Sequence, residues 1–135
     1  MLVKPEHAET HVRSAAAALD RDVRAERIRA ALLARRGELA TEHSNALANL
    51  EHNGGIDAGD DAADLGAKAL AREHDLALLY GIQTRLDQVD RALERLATGR
   101  YGWCEWCSQE IPVARLVAFP AATQCVRCKQ LEERR

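Results

Sequence analysis

This sequence contains few aromatic residues, little proline and no long apolar run. Five of its 135 residues are Phe, Tyr or Trp, and three are Pro. No stretch approaches the roughly 18 consecutive apolar residues of a transmembrane helix, so we expect no membrane span. The first residues show no apolar segment followed by a small-residue cleavage site, so we also expect no signal peptide and a cytoplasmic location.

A surplus of basic residues is absent as well. The chain has 19 Lys and Arg against 21 Asp and Glu, for a formal net charge of -2. Because proteins that wrap nucleic acid usually carry a basic surplus, we expect no direct sequence-specific DNA binding. The dominant residues are Ala, Leu, Arg and Glu, which are typical of long helices and coiled coils. The length suits one domain or a small domain with an arm, and we expect a monomer.

Apolar periodicity predicts an antiparallel coiled-coil arm over residues 19–99. The apolar residues of its first helix recur at spacings near three, four or seven. They are Leu19, Val23, Ile28, Leu32, Leu39, Ala46 and Leu50. Those of the second helix become a heptad seam in its later part. They are Leu65, Ala69, Leu76, Leu79, Ile82, Leu86, Val89, Leu93 and Leu96.

A tip at about residues 53–61 should join the two arm helices. Asn53-Gly54-Gly55 is a strong helix breaker, and Asp60 or Asp61 suits the N-cap of the second helix, which Gly99 should end. At ~1.5 Å per residue, the arm should be on the order of 50 Å long.

The remaining segments flank this arm. We predict a leader helix over residues 1–18 and a small zinc finger with a short C-terminal helix over residues 100–135. The predicted fold class is therefore mostly α: a long antiparallel coiled-coil hairpin followed by a C-terminal four-cysteine finger. So narrow an arm has little core of its own, and it suits a probe better than a catalytic domain.

The four cysteines are confined to residues 104–128 and form two Cys-x-x-Cys pairs. They are Cys104, Cys107, Cys125 and Cys128. Each pair offers two thiolates from one tight turn, and zinc prefers four such ligands at tetrahedral corners. In a cytoplasmic chain this arrangement indicates a metal rather than disulfides. We predict one structural zinc ion, whose complete shell of sulfur ligands leaves no position for a reactive water.

Longer motifs surround the cysteines. Around the finger they are Tyr101-Gly102-x-Cys104-x-x-Cys107, Arg115-Leu116-x-Ala118-x-Pro120-x-Ala122 and Cys125-x-x-Cys128-Lys129. Upstream they are Ala63-Asp64-Leu65-Gly66, Glu73-x-Asp75-Leu76-Ala77-Leu78-Leu79 and Leu93-Glu94-Arg95-x-x-x-Gly99. In this order and at these separations they resemble the DksA/TraR zinc-finger family over residues 57–130. Residues 20–56 resemble it only in helical pattern and length.

The resemblance implies a function. Members of this family bind RNA polymerase rather than DNA. Their coiled-coil arm enters the secondary channel and brings an acidic tip near the polymerase active site, which changes the lifetime of promoter complexes. The factor itself catalyses no reaction. The resemblance therefore implies a transcription regulator that holds zinc and has RNA polymerase as its partner.

The candidate tip residues are aspartates at the start of the second arm helix. They are Asp57, Asp60, Asp61 and Asp64. The family's tip has two aspartates three residues apart, followed by alanine two residues later. Asp57-x-x-Asp60-x-Ala62 fits this string, whereas an ungapped count back from Cys104 selects Asp61-x-x-Asp64, which its neighbours Ala63 and Leu65 favour. Alternatively, these aspartates only cap the helix and complement its dipole.

Some members of the family also bind guanosine tetraphosphate where the arm meets the finger. Lys129 matches a basic residue that follows the last cysteine, and Arg85 lies on the arm helix nearby. Gly81 and Gln88 stand where those members carry basic side chains, and this departure argues against nucleotide binding.

Three other functions stay open at this point, and one of them is a bare structural adaptor whose arm docks onto another helical protein. A nucleic-acid-binding zinc module would need a basic groove or an exposed aromatic platform. A factor that assists transcript cleavage would use the tip aspartates to hold a second magnesium ion.

Overall fold

The computed structural model describes the backbone of residues 6–135 and the side chains of residues 17–135. Four helices occur in this part of the chain: α1 (Glu6–Asn53), α2 (Ala62–Ala97), α3 (Val113–Ala118) and α4 (Val126–Glu133). Outside the helices, Trp103 and Glu110 form an isolated antiparallel β-bridge. Over the described residues, no helix is both long enough and apolar enough to cross a membrane. The predicted mostly helical fold class is confirmed.

Helices α1 and α2 pack along each other as the predicted hairpin. They contain 48 and 36 residues, which corresponds to about 72 Å and about 54 Å of helix. The backbone of α1 runs unbroken through residues 18 and 19, so the expected leader from residue 6 onward is the first part of α1 rather than a separate helix. Residues 1–5 of that leader lie outside the described part. The helix continues because residues 15–18 are all alanine, the best helix former.

The core of the hairpin lies at its base, beside the finger. Its buried side chains are Leu32, Leu39, Ile82, Val89 and Ala92. Tyr101 and Ala121, which both follow the arm in sequence, pack against this cluster. The arm base and the finger therefore share one apolar core, which fixes the finger against the arm.

Toward the tip, the packing between the helices becomes thinner. Leu47 and Leu65 are each 41% exposed, and Leu76 is 46% exposed, whereas Leu50 is buried. Two helices without a third layer cover only one face of each other, so many leucines of this half remain in contact with water. The tip half thus has little core, as the sequence predicts.

The ends of α2 follow local sequence signals. Of the two N-cap candidates, Asp61 takes the position, and its side chain accepts a hydrogen bond from the Asp64 backbone N–H at 2.9 Å. At the other end, Gly99 has a φ of +73°, a conformation that costs little only for glycine. The Arg100 N–H returns to the Arg95 carbonyl at 2.8 Å, which ends the helix and starts the finger.

Candidate functional site

The four cysteine side chains meet at one point in the finger. Their Sγ atoms all lie within 4.8 Å of one another, and those of Cys107 and Cys125 are 3.8 Å apart. A zinc ion ~2.3 Å from four sulfurs at tetrahedral corners requires sulfur–sulfur distances of about 3.8 Å. The donor set and its spacing therefore fit zinc.

A tight turn presents the first cysteine pair. The Cys104 N–H donates to the Gln109 carbonyl at 2.8 Å, and the Ser108 N–H donates to the Cys104 carbonyl at 2.9 Å. Ser108 has a φ of 60°, in the left-handed region that costs a residue with a side chain roughly 1–2 kcal/mol. The finger tolerates this strain because the turn directs both Cys104 and Cys107 toward the second pair.

The second pair lies at the start of α4. Cys125 is the N-cap of this helix, and its Sγ accepts from the Cys128 N–H at 3.5 Å. Ile111, which is 1% exposed, packs with Cys104 and Cys128 in a small cluster of its own. The Ile111 N–H donates to the Gly102 carbonyl at 2.7 Å. This bond closes the loop that holds the first pair, and the Glu105 N–H joins that loop to the segment before the second pair by donating to the Thr123 carbonyl at 2.9 Å.

The surroundings of the thiols favour a bound cation. Burial opposes ionisation of Cys104, but hydrogen bonds from the backbone of Cys107, Cys125 and Trp106 outweigh it and lower the pKa of Cys104 to about 6. A side-chain hydrogen bond to Cys125, with burial and the other thiols, raises the pKa of Cys128 to about 12. Four thiols this close lose all their protons only when a cation neutralises the resulting charge.

The four candidate tip aspartates differ in their surroundings, and only Asp60 is largely covered. The Asp57 N–H donates to Asp60 Oδ2 at 3.0 Å, and Lys68 Nζ lies 2.6 Å from the same Oδ2 atom. The Asp60 side chain is only 11% exposed. Asp61 and Asp64 are exposed and adjoin each other through the N-cap hydrogen bond. Asp60 thus faces inward across the loop, whereas the Asp57 side chain is 86% exposed, and Asp61 and Asp64 lie at the start of α2.

Both candidate nucleotide-binding residues line a groove of about 610 Å³ between the arm and the finger. Arg85 reaches it from α2, and Lys129 reaches it from α4. Gln88 is already engaged at this groove. Its Nε2 donates to the Ala121 carbonyl at 2.7 Å and to Thr123 Oγ1 at 3.1 Å, so it connects α2 to the loop before the second cysteine pair.

Sequence reasoning missed two residues at the tip. Lys68 lies outside the acidic segment in sequence, and no local pattern indicates that its side chain reaches back to the loop. Ile56 is 79% exposed. Its position between a glycine and an aspartate was the only indication in the sequence of an exposed apolar side chain at the tip. The linking role of Gln88 was also missed, because hydrogen bonds across 33 and 35 residues leave no mark in local sequence.

Comparisons with known proteins agree with this architecture. Residues 99–134 match the family described as Prokaryotic dksA/traR C4-type zinc finger. A Caulobacter vibrioides protein named RNA polymerase-binding transcription factor DksA is 33% identical over 108 residues, which cover 77% of this chain and 72% of that protein. An uncharacterized protein of Aquifex aeolicus is 45% identical over 49 residues, and the match spans 36% of this chain and 34% of that protein.

A solved structure shares both the arm and the finger. The structure of transcription factor DksA2 from Pseudomonas aeruginosa matches with a TM-score of 0.68 and 34% identity, covering 83% of this chain and 84% of that one. Fold and site thus define a class, a four-cysteine zinc-finger protein with a long helical hairpin. The chain belongs to the DksA/TraR family, and its cysteines hold a structural zinc ion, so the zinc prediction is confirmed.

Proposed function

We propose that this protein regulates transcription initiation by binding RNA polymerase, with its arm in the secondary channel and its acidic tip near the polymerase active site. The observation that carries the proposal is the long hairpin held at its base by a zinc finger and ending in exposed carboxylates. The name of the Caulobacter relative, an RNA polymerase-binding transcription factor, supports the partner. The protein would act in the cytoplasm, as a monomer, where its partner works.

The shape of the arm suits entry into a narrow channel. A single helix with its side chains is about 10–12 Å across, so two packed helices form a rod about 20 Å wide. The domain division predicted from sequence fits this use, since the arm would be the probe and residues 100–135 the anchor. The shared apolar core at the base fixes the direction in which the probe points.

The tip would act through charge rather than through a reaction of its own. Carboxylates are the ligands that magnesium prefers, and they pair with arginine and lysine. Asp57, Asp60, Asp61 and Asp64 would therefore perturb the metal or the basic loops of the polymerase and change the lifetime of promoter complexes. The factor itself would catalyse no step.

Binding to core RNA polymerase, with a known occupant of the secondary channel as competitor, tests the proposal. Zinc-loaded protein should bind at micromolar concentration or tighter, and the competitor should displace it. A control variant, Arg24→Gln, removes an exposed charge from α1 and should bind equally well. Binding that the competitor does not displace would exclude the secondary channel, and no binding would exclude the partner.

The role of the tip needs a separate measurement. Replacing all four tip aspartates with asparagine keeps their size and much of their capping ability. The variant should still bind the polymerase while its effect on promoter-complex lifetime disappears. Unchanged regulation by this variant would mean that the aspartates only cap α2.

Guanosine tetraphosphate binding is a second candidate function, because Arg85 and Lys129 line one groove. Gln88 weighs against it, since this neutral side chain stands where nucleotide-binding members carry a basic one and is already bonded to the finger. A calorimetric titration of the complex with RNA polymerase decides the question. Heat that disappears in an Arg85→Gln, Lys129→Gln variant would establish the site, and absence of heat would exclude it.

Two of the remaining alternatives have direct assays. The net charge of -2 disfavours a nucleic-acid-binding module, and a mobility-shift assay on duplex and single-stranded DNA without polymerase should show no complex. Transcript-cleavage assistance would use the tip carboxylates to hold magnesium, but Lys68 already neutralises part of their charge. Cleavage of a backtracked transcript that depends on this protein would support that alternative.

A further inference from the structure

A lysine from the second turn of α2 reaches back into the tip loop. Lys68 Nζ lies 2.6 Å from Asp60 Oδ2 and 3.4 Å from Asp57 Oδ2, and it donates to the Gly55 carbonyl at 3.5 Å. Both ends of the ion pair are partly covered, because the side chains of Lys68 and Asp60 are 37% and 11% exposed. This coverage distinguishes the contact from a fully exposed surface pair.

The turn around Asp60 is held from two sides. The Asp60 N–H donates to the Asp57 carbonyl at 3.1 Å, and the Asp57 N–H donates to Asp60 Oδ2 at 3.0 Å. The hydrogen bond from Lys68, followed by that from the Asp57 backbone, keeps the pKa of Asp60 below its usual value. The carboxylate is therefore held by two groups, Lys68 Nζ and the Asp57 N–H, and points into the loop.

Asp61 and Asp64 have a different environment. Both are exposed, and neither forms an ion pair with any side chain among residues 17–135. Asp61 uses Oδ1 to accept from the Asp64 N–H. The rest of this pair of carboxylates remains in solvent at the start of α2.

We infer that Lys68 is a positioning residue that sets Asp60 apart from the other tip carboxylates. It holds Asp60 in the turn beside Asp57, whose own side chain stays 86% exposed, and it leaves Asp61 and Asp64 as the pair in which both carboxylates are free to face the partner. The inference rests on the proposed function and selects between the two aspartate pairs that the sequence left open.

Two effects should follow when Lys68 is lost. The carboxylates of Asp57 and Asp60 would repel each other without an intervening cation, so the turn would open. A disordered tip must be ordered again when it enters its site, which costs conformational entropy. The loop would also direct a different set of charges toward the partner. Regulation should then weaken although the base of the protein still binds.

The test compares Lys68→Gln with Arg24→Gln as matched control. Arg24 is also basic and pairs with Asp20 at 3.0 Å on α1, so both variants remove one positive charge from an ion pair. Displaceable binding to RNA polymerase should be unchanged in both. The effect on promoter-complex lifetime should fall at least about fivefold in Lys68→Gln, the lower end of typical coupling between sites. Arg24→Gln should regulate normally, and Lys68→Arg should restore regulation.

A second set of variants asks which carboxylates act on the partner. With Lys68 retained, the double substitution Asp61→Asn, Asp64→Asn should abolish regulation. Asp60→Asn combined with Lys68→Gln should lose no more than Lys68→Gln alone, because both act through one contact. Full regulation by Lys68→Gln, or by the Asp61, Asp64 double variant, would overturn the inference. An equal loss in Arg24→Gln would also overturn it.

Amide hydrogen exchange separates this inference from the proposed function. The Asp57 amide is bonded to Asp60, so it should exchange faster in Lys68→Gln than in the wild-type protein, with no polymerase present. Failure of the wild-type protein to bind polymerase would refute the proposed function alone. An unchanged Asp57 exchange rate would show that Lys68 does not hold the turn, and would refute the inference whatever the partner.

Discussion

The base and the tip of the arm are stabilised by different kinds of contact. At the base, Leu39 and Val89 are 1% and 2% exposed, and the finger covers the same cluster with Tyr101, whose hydroxyl donates to the Pro120 carbonyl at 2.6 Å. At the tip, the loop is held by a turn, an N-cap and the ion pair of Lys68, with little apolar burial around them.

Because of this difference, the base is suited to anchor the molecule and the tip is suited to contact a partner. Apolar burial does not depend on charge, and the four thiolates are all occupied by the zinc ion, so the base should keep its geometry when a partner binds. The tip loop buries little apolar surface, so its exposed carboxylates can meet a partner without uncovering a core. In the proposed function, the part of the molecule with the least core is therefore also the part that would act on the polymerase.

Removal of zinc should have the largest effect on the base of the arm, while it leaves the tip unchanged. A chelator, or Cys104→Ser, should unfold residues 99–134, because zinc binding supplies roughly 10–16 kcal/mol of apparent free energy in small fingers. Far-UV circular dichroism and hydrogen exchange should show this loss, while the Asp57 amide keeps its protection. Ser108→Gly is the control, since it changes the same turn without removing a ligand. A finger that stays protected without metal would contradict the prediction.

Truncation of one leucine in each half should give unequal losses. Leu39→Ala removes a side chain that is 1% exposed and should lower the free energy of unfolding by about 2–5 kcal/mol. Leu47→Ala removes one that is 41% exposed and should cost less than about 1 kcal/mol. Thermal unfolding of the zinc-loaded proteins measures both. Equal losses would mean that the tip half has a core after all.

The hydrogen bonds of Gln88 at the base should contribute a smaller part of the free energy of unfolding. Gln88→Ala leaves the Ala121 carbonyl without this donor and should cost about 1 kcal/mol. Gln83→Ala is the matched control, because its side chain bonds only to the exposed Asp87 one turn away. Chemical denaturation of both variants gives the difference. A neutral Gln88→Ala would show that these hydrogen bonds do not help to fix the finger.

A fall in pH should have the smallest of these effects, a loss of stability in the tip loop. The pKa of Asp60 is lowered by its hydrogen bond to Lys68, so this contact stabilises the loop fully above the usual Asp value of 3.8. Its contribution should disappear as the pH falls through the lowered pKa. The chemical shift of the Asp57 amide should report this transition. In Lys68→Gln the pH midpoint of this transition should be higher than in the wild-type protein. An identical midpoint in the two proteins would contradict the prediction.

The sequence predicts much of the fold because its signals are local. Apolar periodicity indicates two long helices, Gly54-Gly55 and Gly99 mark their ends, and the cysteine spacing indicates zinc. The sequence offers both Asp60 and Asp61 as the N-cap of α2 and does not distinguish them, since two adjacent aspartates cap equally well. The leader was separated from the arm at residue 18, although its alanine-rich sequence contains nothing to stop the helix.

What the sequence determined by itself is the set of helices, the zinc ligands and the acidic character of the tip. Each depends on residues that are close in the chain or matched in spacing. Only the tertiary structure decided which carboxylates Lys68 engages, and how Gln88 links arm and finger. Those contacts depend on how a long side chain crosses a turn or on the approach of segments more than 30 residues apart. Such distances are set by packing, which local sequence patterns do not encode.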